Sequence, residues 1–594
     1  MDLSSFYRER VQDFTRKESA YERKNNRFTW LRLLLVISMI ALGIYFYSIS
    51  FWLSIVTVGV LFITFLISLK LHLSGIEQQK EMERFKIINQ QELNSLDGDY
   101  SYYPSGEQYT DIKHYYTSDL DIFGTYSIFR YINRTTSPSG SHMLADWLKA
   151  PASINEIRDR QAAVKELSEM IDRRQGMQSI GLKYKDVSKE LPGFLQWLES
   201  EPVLSGNRKL LTLMYVLPWI TIAIIAATIM GWVPSVFIWL MVCIHLMMTA
   251  MVARKVNYLH QQVSRKVAFI STYYELISLF TGTDFTAPYL VALKKRFTDS
   301  GALKQIRTLQ NRIKRLDYRL NAMFVPINVL FFFDYKHLVW LEKWRAESGG
   351  KLIGWFDAIA RVEALSSFAN IRFNHPSWAI PEIREDYFII QAKRIGHPLI
   401  MEKERVCNDF SLDGEGKIAV VTGSNMSGKS TFQRSIGVNM VLALAGAPVC
   451  ADSLVITDCQ LYTYMRIADN LEERTSSFYA ELKRLKQLID ITREGGQRIF
   501  FLLDEVLRGT NSRDRQIGSM ALVRQLARQN VSGIIATHDL TLGDLETEMP
   551  DRISNAHFDV QINGEDMSFD YQLHPGICTS LNASILMKKI GINI

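Results

Sequence analysis

The sequence predicts an α/β domain at the C-terminus, preceded by an all-α core domain that carries two transmembrane helical hairpins. Three observations support this fold class. A glycine-rich loop containing lysine and serine follows a short β-branched segment in the C-terminal third. Further along, two apolar segments end in polar residues, as parallel strands of an open sheet do. Two long segments without charge interrupt the N-terminal half.

The bulk properties bound the class of protein. The length of 594 residues exceeds what one hydrophobic core normally serves, which predicts several domains. The formal charge of +6 is modest, so affinity for nucleic acid or anionic lipid must arise from local clusters. The five cysteines form no CxxC pair, which is typical of reduced thiols in a cytosolic compartment, and we assign them no metal and no catalysis.

The two uncharged segments predict membrane hairpins. Leu33–Leu69 would be roughly 55 Å long as one helix, nearly twice the bilayer core of about 30 Å, so a pair of spans with a turn near residues 45–50 fits better. Leu210–Ala253 is uncharged apart from protonation of His245 and has Gly231 and Pro234–Ser235 near its centre. Buried helices of a soluble core seldom run this long without charge. A cleaved signal peptide is disfavoured by the polar leader and the missing cleavage site.

Basic residues at the span ends predict the orientation, because such flanks face the cytoplasm. They are Arg23, Lys24, Arg27 and Arg32 before the first hairpin, Lys70 after it, Arg208 and Lys209 before the second, and Arg254 and Lys255 after it. The sequence therefore predicts a multi-pass protein of the cytoplasmic membrane, with only the hairpin turns on the outer side.

The strongest chemical signal is the segment after the predicted strand Ile418–Thr422, which fits the pattern GxxxxGK[ST]. Glycines let such a loop close around phosphates, Lys429 would reach the terminal phosphates, and Ser430 would ligate Mg²⁺. The residues predicted to bind ATP here are Gly423, Ser424, Asn425, Met426, Ser427, Gly428, Lys429, Ser430 and Thr431.

Two further strand ends supply the remaining polar groups. The apolar segment Ile499–Leu503 is followed by Asp504, predicted to hold Mg²⁺ with Ser430, and by Glu505, predicted to polarise the attacking water. The segment Gly533–Ala536 is followed by Thr537 and His538. His538 is either a γ-phosphate sensor or a satisfied core histidine. Together these strand ends predict an α/β P-loop ATPase domain.

These motifs resemble those of the MutS family of DNA mismatch repair ATPases. Residues 422–431, TGSNMSGKST, are similar to the family's TGPNMxGKST, residues 504–510 to its DEIGRGT, residues 535–538 to its FATH, and residues 474–478 to its GRSTF signature. The similarity extends upstream to residues 121–124 and 133–140, so it covers about three quarters of the chain. Ser424, Leu507 and Cys407 depart from the family's proline, glycine and proline.

The resemblance implies a composite site in a homodimer, where Ser476 of one subunit reaches the γ-phosphate bound by its neighbour. Ser476 and Ser477 are also ordinary capping residues for the predicted helix Phe478–Ile491. By resemblance Val406, with Asn408 beside it, lines the adenine pocket. The predicted catalytic residues are Glu505, His538, Ser476 and Asn425.

A basic segment keeps DNA among the predicted ligands. From Lys294 to Arg319 the chain holds nine lysines and arginines against two aspartates, and the spacing of Leu309, Ile313, Leu316 and Leu320 predicts a helix with a packed seam and a basic outer face. This face could bind DNA phosphates, rest on anionic lipid, or be solvated. The DNA-binding candidates are Lys304, Arg307, Arg312, Lys314, Arg315 and Arg319.

The N-terminal part leaves no room for a mismatch-reading domain. We therefore predict a membrane-anchored, dimeric, ATP-switched protein that binds DNA without a strong mismatch preference; the alternatives are a transporter-type motor and a nucleotide-regulated membrane scaffold. The predicted domains are a cytoplasmic leader (1–29), transmembrane hairpin 1 (30–72), the first part of the helical core (73–208), transmembrane hairpin 2 (209–254), the second part of the helical core (255–385) and the ATPase domain (386–594).

Overall fold

The computed structural model describes residues 2–183, 193, 196–198, 208–264, 267–316, 324–424, 426–465, 477–494, 498–563 and 566–578. Its N-terminal part is helical and its C-terminal part is mixed α/β, as predicted. The helical part contains α1 (Leu3–Tyr47), α2 (Phe51–Leu96), α3 (Ile128–Ile132), α4 (Pro138–Lys149), α5 (Ile154–Glu169), α6 (Ile171–Lys183), α7 (Arg208–Ile229), α8 (Val236–Ser264), α9 (Val267–Thr281), α10 (Pro288–Asp299), α11 (Ala302–Leu316), α12 (Val325–Phe331) and α13 (Phe333–Asn374).

Helices α1 and α2 form a long antiparallel hairpin with its turn at residues 48–50, inside the predicted turn region. The predicted leader is the first part of α1, and it packs on the helical core. The Tyr7 hydroxyl donates to Oδ1 of Asn374 at 2.7 Å, and Nη2 of Arg10 lies 2.7 Å from Oδ1 of Asp172. One hairpin therefore joins an apolar half to a polar half that belongs to the core.

Helices α7 and α8 form the second hairpin, whose turn includes Gly231 with φ 76°. Together with α1 and α2, they are the four helices in the described part of the chain that are long and apolar enough to cross a membrane. The short helix α12 and the start of α13 pack against this second hairpin.

The prediction of a single basic helix between residues 294 and 319 is wrong. The chain forms two helices, α10 and α11, which are separated at Gly301, where φ is 62°. The break is held by Ser300, whose hydroxyl accepts from Nε1 of Trp355 at 2.8 Å. Leu309 and Ile313 are buried, as the predicted seam requires, whereas Leu320 lies outside the described residues.

A buried ion pair joins the first hairpin to the core. Arg134 pairs with Glu92 of α2, and Asn370 and Asn374 of α13 each donate to Oε2 of Glu92 at 3.0 Å. Although burial raises the pKa of Glu92, the Arg134 guanidinium and these hydrogen bonds hold it below its usual range. The pair is buried, so Asn370 and Asn374 stabilise charges that have lost most of their contact with water.

The C-terminal part contains two sheets. Its strands are β1 (Glu382–Arg384), β2 (Ile389–Ile395), β3 (Asn408–Asp413), β4 (Ile418–Thr422), β5 (Ser453–Thr457), β6 (Gln460–Tyr464), β7 (Ile499–Asp504), β8 (Ser532–Thr537), β9 (Ile553–Asn563) and β10 (Asp566–Pro575). Its helices are α14 (Lys429–Ala445), α15 (Ser477–Glu494), α16 (Ser512–Arg528) and α17 (Leu545–Glu548), and Leu540–Asp544 is a 3-10 helix.

The smaller sheet has the order β1-β5-β2-β3 and the larger one β10-β9-β4-β8-β7-β6. In the larger sheet β9, β4, β8, β7 and β6 are parallel, and β10 returns antiparallel along β9. The strands expected at residues 418–422, 499–503 and 533–536 are confirmed. Their residues are buried on both faces, which explains the continuous apolar sequence of each strand.

The helical and α/β parts share one apolar core, which includes Leu120, Phe368 and Ile436. Polar contacts cross the same boundary. Thr463 donates to Oδ2 of Asp119 at 2.8 Å. The two parts are therefore fixed to each other by packing as well as by the chain.

Candidate functional site

The carboxyl ends of three parallel strands bring the predicted site residues together. In the larger sheet β8 lies between β4 and β7. Thr422, the last residue of β4, is opposite Thr537, and Asp504 at the end of β7 is opposite Ala536. The loop after β4, the acidic pair at the end of β7 and His538 after β8 therefore meet at one edge of the sheet.

The glycine-rich loop makes a tight turn between β4 and α14. Gly423 has φ 152° and Gly428 has φ 103°, backbone conformations that favour glycine. A Cβ atom at Gly423 would lie 3.0 Å from the carbonyl oxygen of Phe558, so the loop also requires close backbone approach. Met426 has φ 72° and is 78% exposed, whereas Asn425 lies outside the described residues.

Lys429 begins α14, and its side chain folds back over the loop. Its Nζ donates to the carbonyl oxygens of Gly423 at 2.6 Å and Ser424 at 2.8 Å. The residue is only 5% exposed, and burial lowers the pKa of its ammonium group. The hydroxyl oxygens of Ser424 and Ser427 are buried and have no hydrogen-bond partner among the residues that the structure describes. The loop thus combines a cation with hydroxyls that can still accept a polar ligand.

Ser430 and Asp504 are in direct contact. The Ser430 hydroxyl donates to Oδ2 of Asp504 at 2.6 Å, which links the start of α14 to the end of β7. Asp504 is buried, and burial raises the pKa of its carboxyl group. Gln433, one turn further along α14, donates to the carbonyl oxygens of Leu503 and Ile534 and holds both strands in register with the helix.

Glu505 follows with a left-handed backbone, φ 48°. Its Oε2 lies 3.1 Å from Nε of Arg508, and its Oε1 lies 3.4 Å from Nδ1 of His538. The backbone N–H of Glu505 donates to the carbonyl oxygen of Ala536 at 2.9 Å. The carboxylate is therefore held between a permanent cation and an imidazole at the sheet edge.

Leu507 occupies the position of the glycine in the family motif, and its φ is 62°. A left-handed backbone costs a non-glycine residue about 1–2 kcal/mol. The Leu507 N–H donates to the buried carboxylate of Glu481 on α15, and burial raises the pKa of Glu481. No sequence pattern marked Glu481, because nothing in the sequence reveals a contact between a helix and a distant turn.

The loop opens into a cavity of about 490 Å³. Besides the loop residues and Glu505, its lining includes Val406, which the resemblance assigns to an adenine pocket, and also His397, Glu404 and Tyr571, which the sequence did not suggest as site residues. Burial lowers the pKa of His397 to about 4, so this imidazole is neutral at neutral pH.

Tyr571 reaches the cavity from an irregular point of β10. It has φ 54° and is 43% exposed, and its carbonyl oxygen accepts from Nδ2 of Asn408 at 3.0 Å. Oδ1 of Asn408 in turn accepts from the N–H of Leu573 at 2.7 Å. Asn408 therefore holds the hairpin of β9 and β10 against the cavity, a role that its position in the sequence did not reveal.

The remaining predicted residues lie elsewhere or outside the described part of the chain. Ser476 and Arg319 fall outside the described residues, and the N-terminal end of α15 is at Ser477. Lys304, Arg307, Lys314 and Arg315 are exposed on α11, away from the cavity lining. Arg312 is half-buried, with its guanidinium 4.8 Å from the centre of the Trp340 ring.

The fold and the site define a class of protein: a mixed α/β domain with a glycine-rich loop between a parallel strand and a helix, joined to a helical region. The family model of MutS domain V matches residues 419–589, and that of MutS domain III matches residues 114–194. The chain belongs to the MutS family.

Three curated relatives show the extent of the similarity. DNA mismatch repair protein MutS 2 of Halobacterium salinarum is 30% identical over 44% of this chain, MutS of Haloquadratum walsbyi 31% over 51%, and MutS of Thermotoga maritima 30% over 39%. The matched regions span 30%, 30% and 29% of the lengths of these relatives.

Proposed function

We propose that this protein binds and hydrolyses ATP at the cavity beside α14. The contact between Ser430 and Asp504, next to the buried Lys429, is the observation that carries the proposal. A hydroxyl, a carboxylate and a cation therefore lie together next to the loop that leads into α14. Such a helix start is a favourable place for phosphate.

Lys429 and the loop would bind the phosphates. The Nζ of Lys429 now donates to two loop carbonyl oxygens, and an ammonium group can exchange such neutral acceptors for phosphate oxygens with a gain in charge-assisted hydrogen bonding. The proposed nucleotide-binding residues are those of the predicted loop, residues 423–431, together with Val406. Tyr571 presents an exposed aromatic ring to the same cavity and would contact the base.

Ser430 and Asp504 fit an Mg²⁺ site, because a hydroxyl and a carboxylate are the oxygen ligands that this cation prefers. Their oxygens lie 2.6 Å apart, close enough for one cation to contact both. When bound there, Mg²⁺ supplies positive charge next to the phosphate oxygens. Ser430 and Asp504 would hold this place, and burial raises the pKa of the Asp504 carboxyl group.

Glu505 would accept the proton of the attacking water. Its carboxylate lies between Arg508 and His538, which orient it, and its left-handed backbone directs it to the cavity. His538, next to the same carboxylate, would contact the γ-phosphate. The resemblance adds Asn425 and, from the neighbouring subunit of a homodimer, Ser476.

Purified protein in detergent tests the ATPase proposal. Phosphate release should require Mg²⁺, and Lys429→Ala should weaken nucleotide binding by about 10–100-fold, since a hydrogen bond to a charged group contributes about 1.5–3 kcal/mol. Lys417→Ala, at the opposite end of β4, is the matched control. Equal affinity of the Lys429→Ala protein and the wild type would contradict the proposal.

We further propose that α1 and α2, and then α7 and α8, span the cytoplasmic membrane as two hairpins. Their length and hydropathy support this, as do the basic residues at the ends of the apolar stretches. Cysteines introduced at Ser50 and Ser235 should react with an impermeant thiol reagent from outside intact cells, whereas one at Ser300 should not. Protection of both turns beside a labelled outer control would overturn this topology.

DNA is the proposed macromolecular ligand, and the exposed basic residues of α11 are its proposed contact. Curated relatives are called DNA mismatch repair proteins, and the face of α11 holds several cations on one side of a packed helix. Anionic lipid fits the same charge. Sequencing the nucleic acid recovered with the protein from native membranes tests the proposal; recovery of anionic lipid with no nucleic acid would favour the lipid.

A further inference from the structure

An apolar segment between α11 and the body of α13 reaches the middle of the second hairpin. Residues 324–333, FVPINVLFFF, have no charge and only Asn328 as a polar side chain. They form α12, turn at Phe332, where φ is 50°, and continue into α13, so that the ring centres of Phe324 and Phe333 lie 4.9 Å apart. The helix of seven residues is far too short to cross a bilayer, so composition and length do not reveal it as a membrane segment.

His245 of α8 gives the depth of this segment. It lies midway along the uncharged part of α8, about 14 Å along the helix from both Val236 and Arg254. Its Nδ1 lies 3.1 Å from the carbonyl oxygen of Val329, and its ring stacks on Phe332 with the ring centres 4.8 Å apart. If α8 spans the membrane, Val329 and Phe332 therefore lie near the bilayer midplane.

Several polar groups at the turn have hydrogen-bond partners, as a membrane interior requires. Val329 is in the last turn of α12, where a carbonyl oxygen has no partner in its own helix, and His245 supplies one. With Nδ1 donating, Nε2 can accept from the Thr221 hydroxyl of α7 at 2.9 Å. Asn328 donates to Oδ2 of Asp334 and accepts from its N–H, both at 2.9 Å.

Two apolar residues of α12 are exposed. Val325 and Ile327 are 49% and 47% exposed, on a helix that packs against α7 and α8. Four residues after Phe332, the chain has its first cation, Lys336, whose Nζ lies 4.3 Å from the centre of the Tyr215 ring. A lysine at this position can extend its ammonium group towards the headgroups.

We propose that residues 324–333 form a re-entrant segment that enters the bilayer from the cytoplasmic side, reaches its midplane against α7 and α8, and returns as α13. Lipid acyl chains contact Val325 and Ile327. This inference rests on the proposed membrane integration of the second hairpin. It gives α13 one end inside the membrane, while its other end contacts Glu92 and leads into the α/β part.

Spin labelling of the full-length protein in liposomes tests the segment. In a background with all five native cysteines changed to alanine, single cysteines are placed at 243 on α8, 327 on α12 and 307 on α11. Nitroxides at 243 and 327 should collide more with oxygen than with a water-soluble nickel chelate, and their depths should agree within about one helical turn of ~5 Å. The label at 307 should show the opposite preference.

The possible failures are distinguishable. If 327 behaves like 307 while 243 reports lipid, the re-entrant segment is wrong and the hairpin stands. If 243 also behaves like 307, the membrane integration fails and this inference fails with it. Low collision rates of 327 with both reagents would mean burial in protein and would overturn the lipid contact.

A second measurement keeps the native cysteines. A photoreactive benzoylphenylalanine replaces Ile327, and irradiated membranes are analysed by mass spectrometry. A covalent phospholipid adduct is expected at 327 and absent when the same residue replaces Arg307. Adducts to phospholipid at neither position would overturn the proposal.

Discussion

The cavity beside α14 and the basic face of α11 hold their charges in opposite ways. Lys429 is buried and donates to two backbone carbonyl oxygens, whereas Arg307, Lys314 and Arg315 are exposed on α11. A charge removed from water interacts strongly with its few partners, while an exposed one is screened by solvent and salt. A single substitution should therefore change the cavity greatly, and only combined substitutions should change the basic face.

The largest effect is expected for Glu505→Gln. Loss of the proton acceptor should lower ATP turnover by about 10²–10⁴-fold, the usual contribution of general acid–base catalysis, while ATP binding is retained. Phosphate release and equilibrium binding of a fluorescent ATP analogue measure the two properties. Glu494→Gln, at the exposed end of α15, is the control. Full turnover by the Glu505→Gln protein would show that another group accepts the proton.

The buried ion pair of Glu92 extends the comparison to stability. Glu92→Gln leaves the Arg134 guanidinium buried without its counter-charge, and the free energy of unfolding should fall by about 3–5 kcal/mol. Glu548→Gln removes a similar pair with Arg524 at the surface and should change stability little. Thermal unfolding in detergent compares the two variants. Equal losses would mean that burial does not decide the strength of these pairs.

The same pair predicts a pH dependence. Since the pKa of Glu92 is lower in the folded protein than in the unfolded chain, its stabilisation is fully present above the ordinary range of a glutamate. It is lost as the pH falls through the folded-state pKa. The Glu92→Gln protein should therefore lose less stability on acidification than the wild type does.

Ser430→Ala tests the metal side of the cavity. Removal of the hydroxyl that contacts Asp504 should raise the Mg²⁺ concentration for half-maximal ATPase activity by about 10–100-fold, the usual range for loss of an oriented group at a metal site. Ser512→Ala, at the start of α16, serves as the control because it does not line the cavity. An unchanged Mg²⁺ requirement would show that Ser430 does not bind the metal.

The smallest single-residue effects are expected on α11. Charge reversal of Arg307, Lys314 and Arg315 together should reduce the slope of log affinity against log salt for duplex DNA by roughly three units or less, at about 0.9 per phosphate contact. Reversal of one residue should reduce it by about one unit or less. Arg312 packs on Trp340, so its substitution combines packing with charge and is unsuitable here.

Homoduplex and single-mismatch DNA belong in the same titration. Phosphate contacts position a protein without identifying bases, so the affinities should agree within about tenfold, or roughly 1.4 kcal/mol. A larger preference for the mismatch would reveal a base-reading element. An unchanged salt slope in the triple variant would show that DNA binds at a surface other than α11.

Local sequence determines the predictable parts of the structure, whereas contacts between distant segments determine most of the others. The strands that precede the loop, Asp504 and His538 were predictable because local apolar sequence and short motifs specify them. Leu507 and Glu481, and the approach of Tyr571 to the loop, depend on contacts between distant segments. The break at Gly301 was missed because the apolar seam used to predict the helix, Leu309 to Leu320, lies entirely after it. The re-entrant segment was missed because ten residues carry too little hydropathy to stand out.

The contact of Tyr7 with Asn374 has a consequence for biosynthesis, because the two residues are 367 positions apart. Chains are synthesised at about 5–20 residues per second, so roughly 20–70 seconds separate the two residues on the ribosome. During that interval the polar half of α1 has none of its contacts with the end of α13, and Glu92 lacks Asn370 and Asn374. The first hairpin is thus made early and docked late, and Tyr7 and Glu92 gain their partners on α13 only after residues 370–374 have been synthesised.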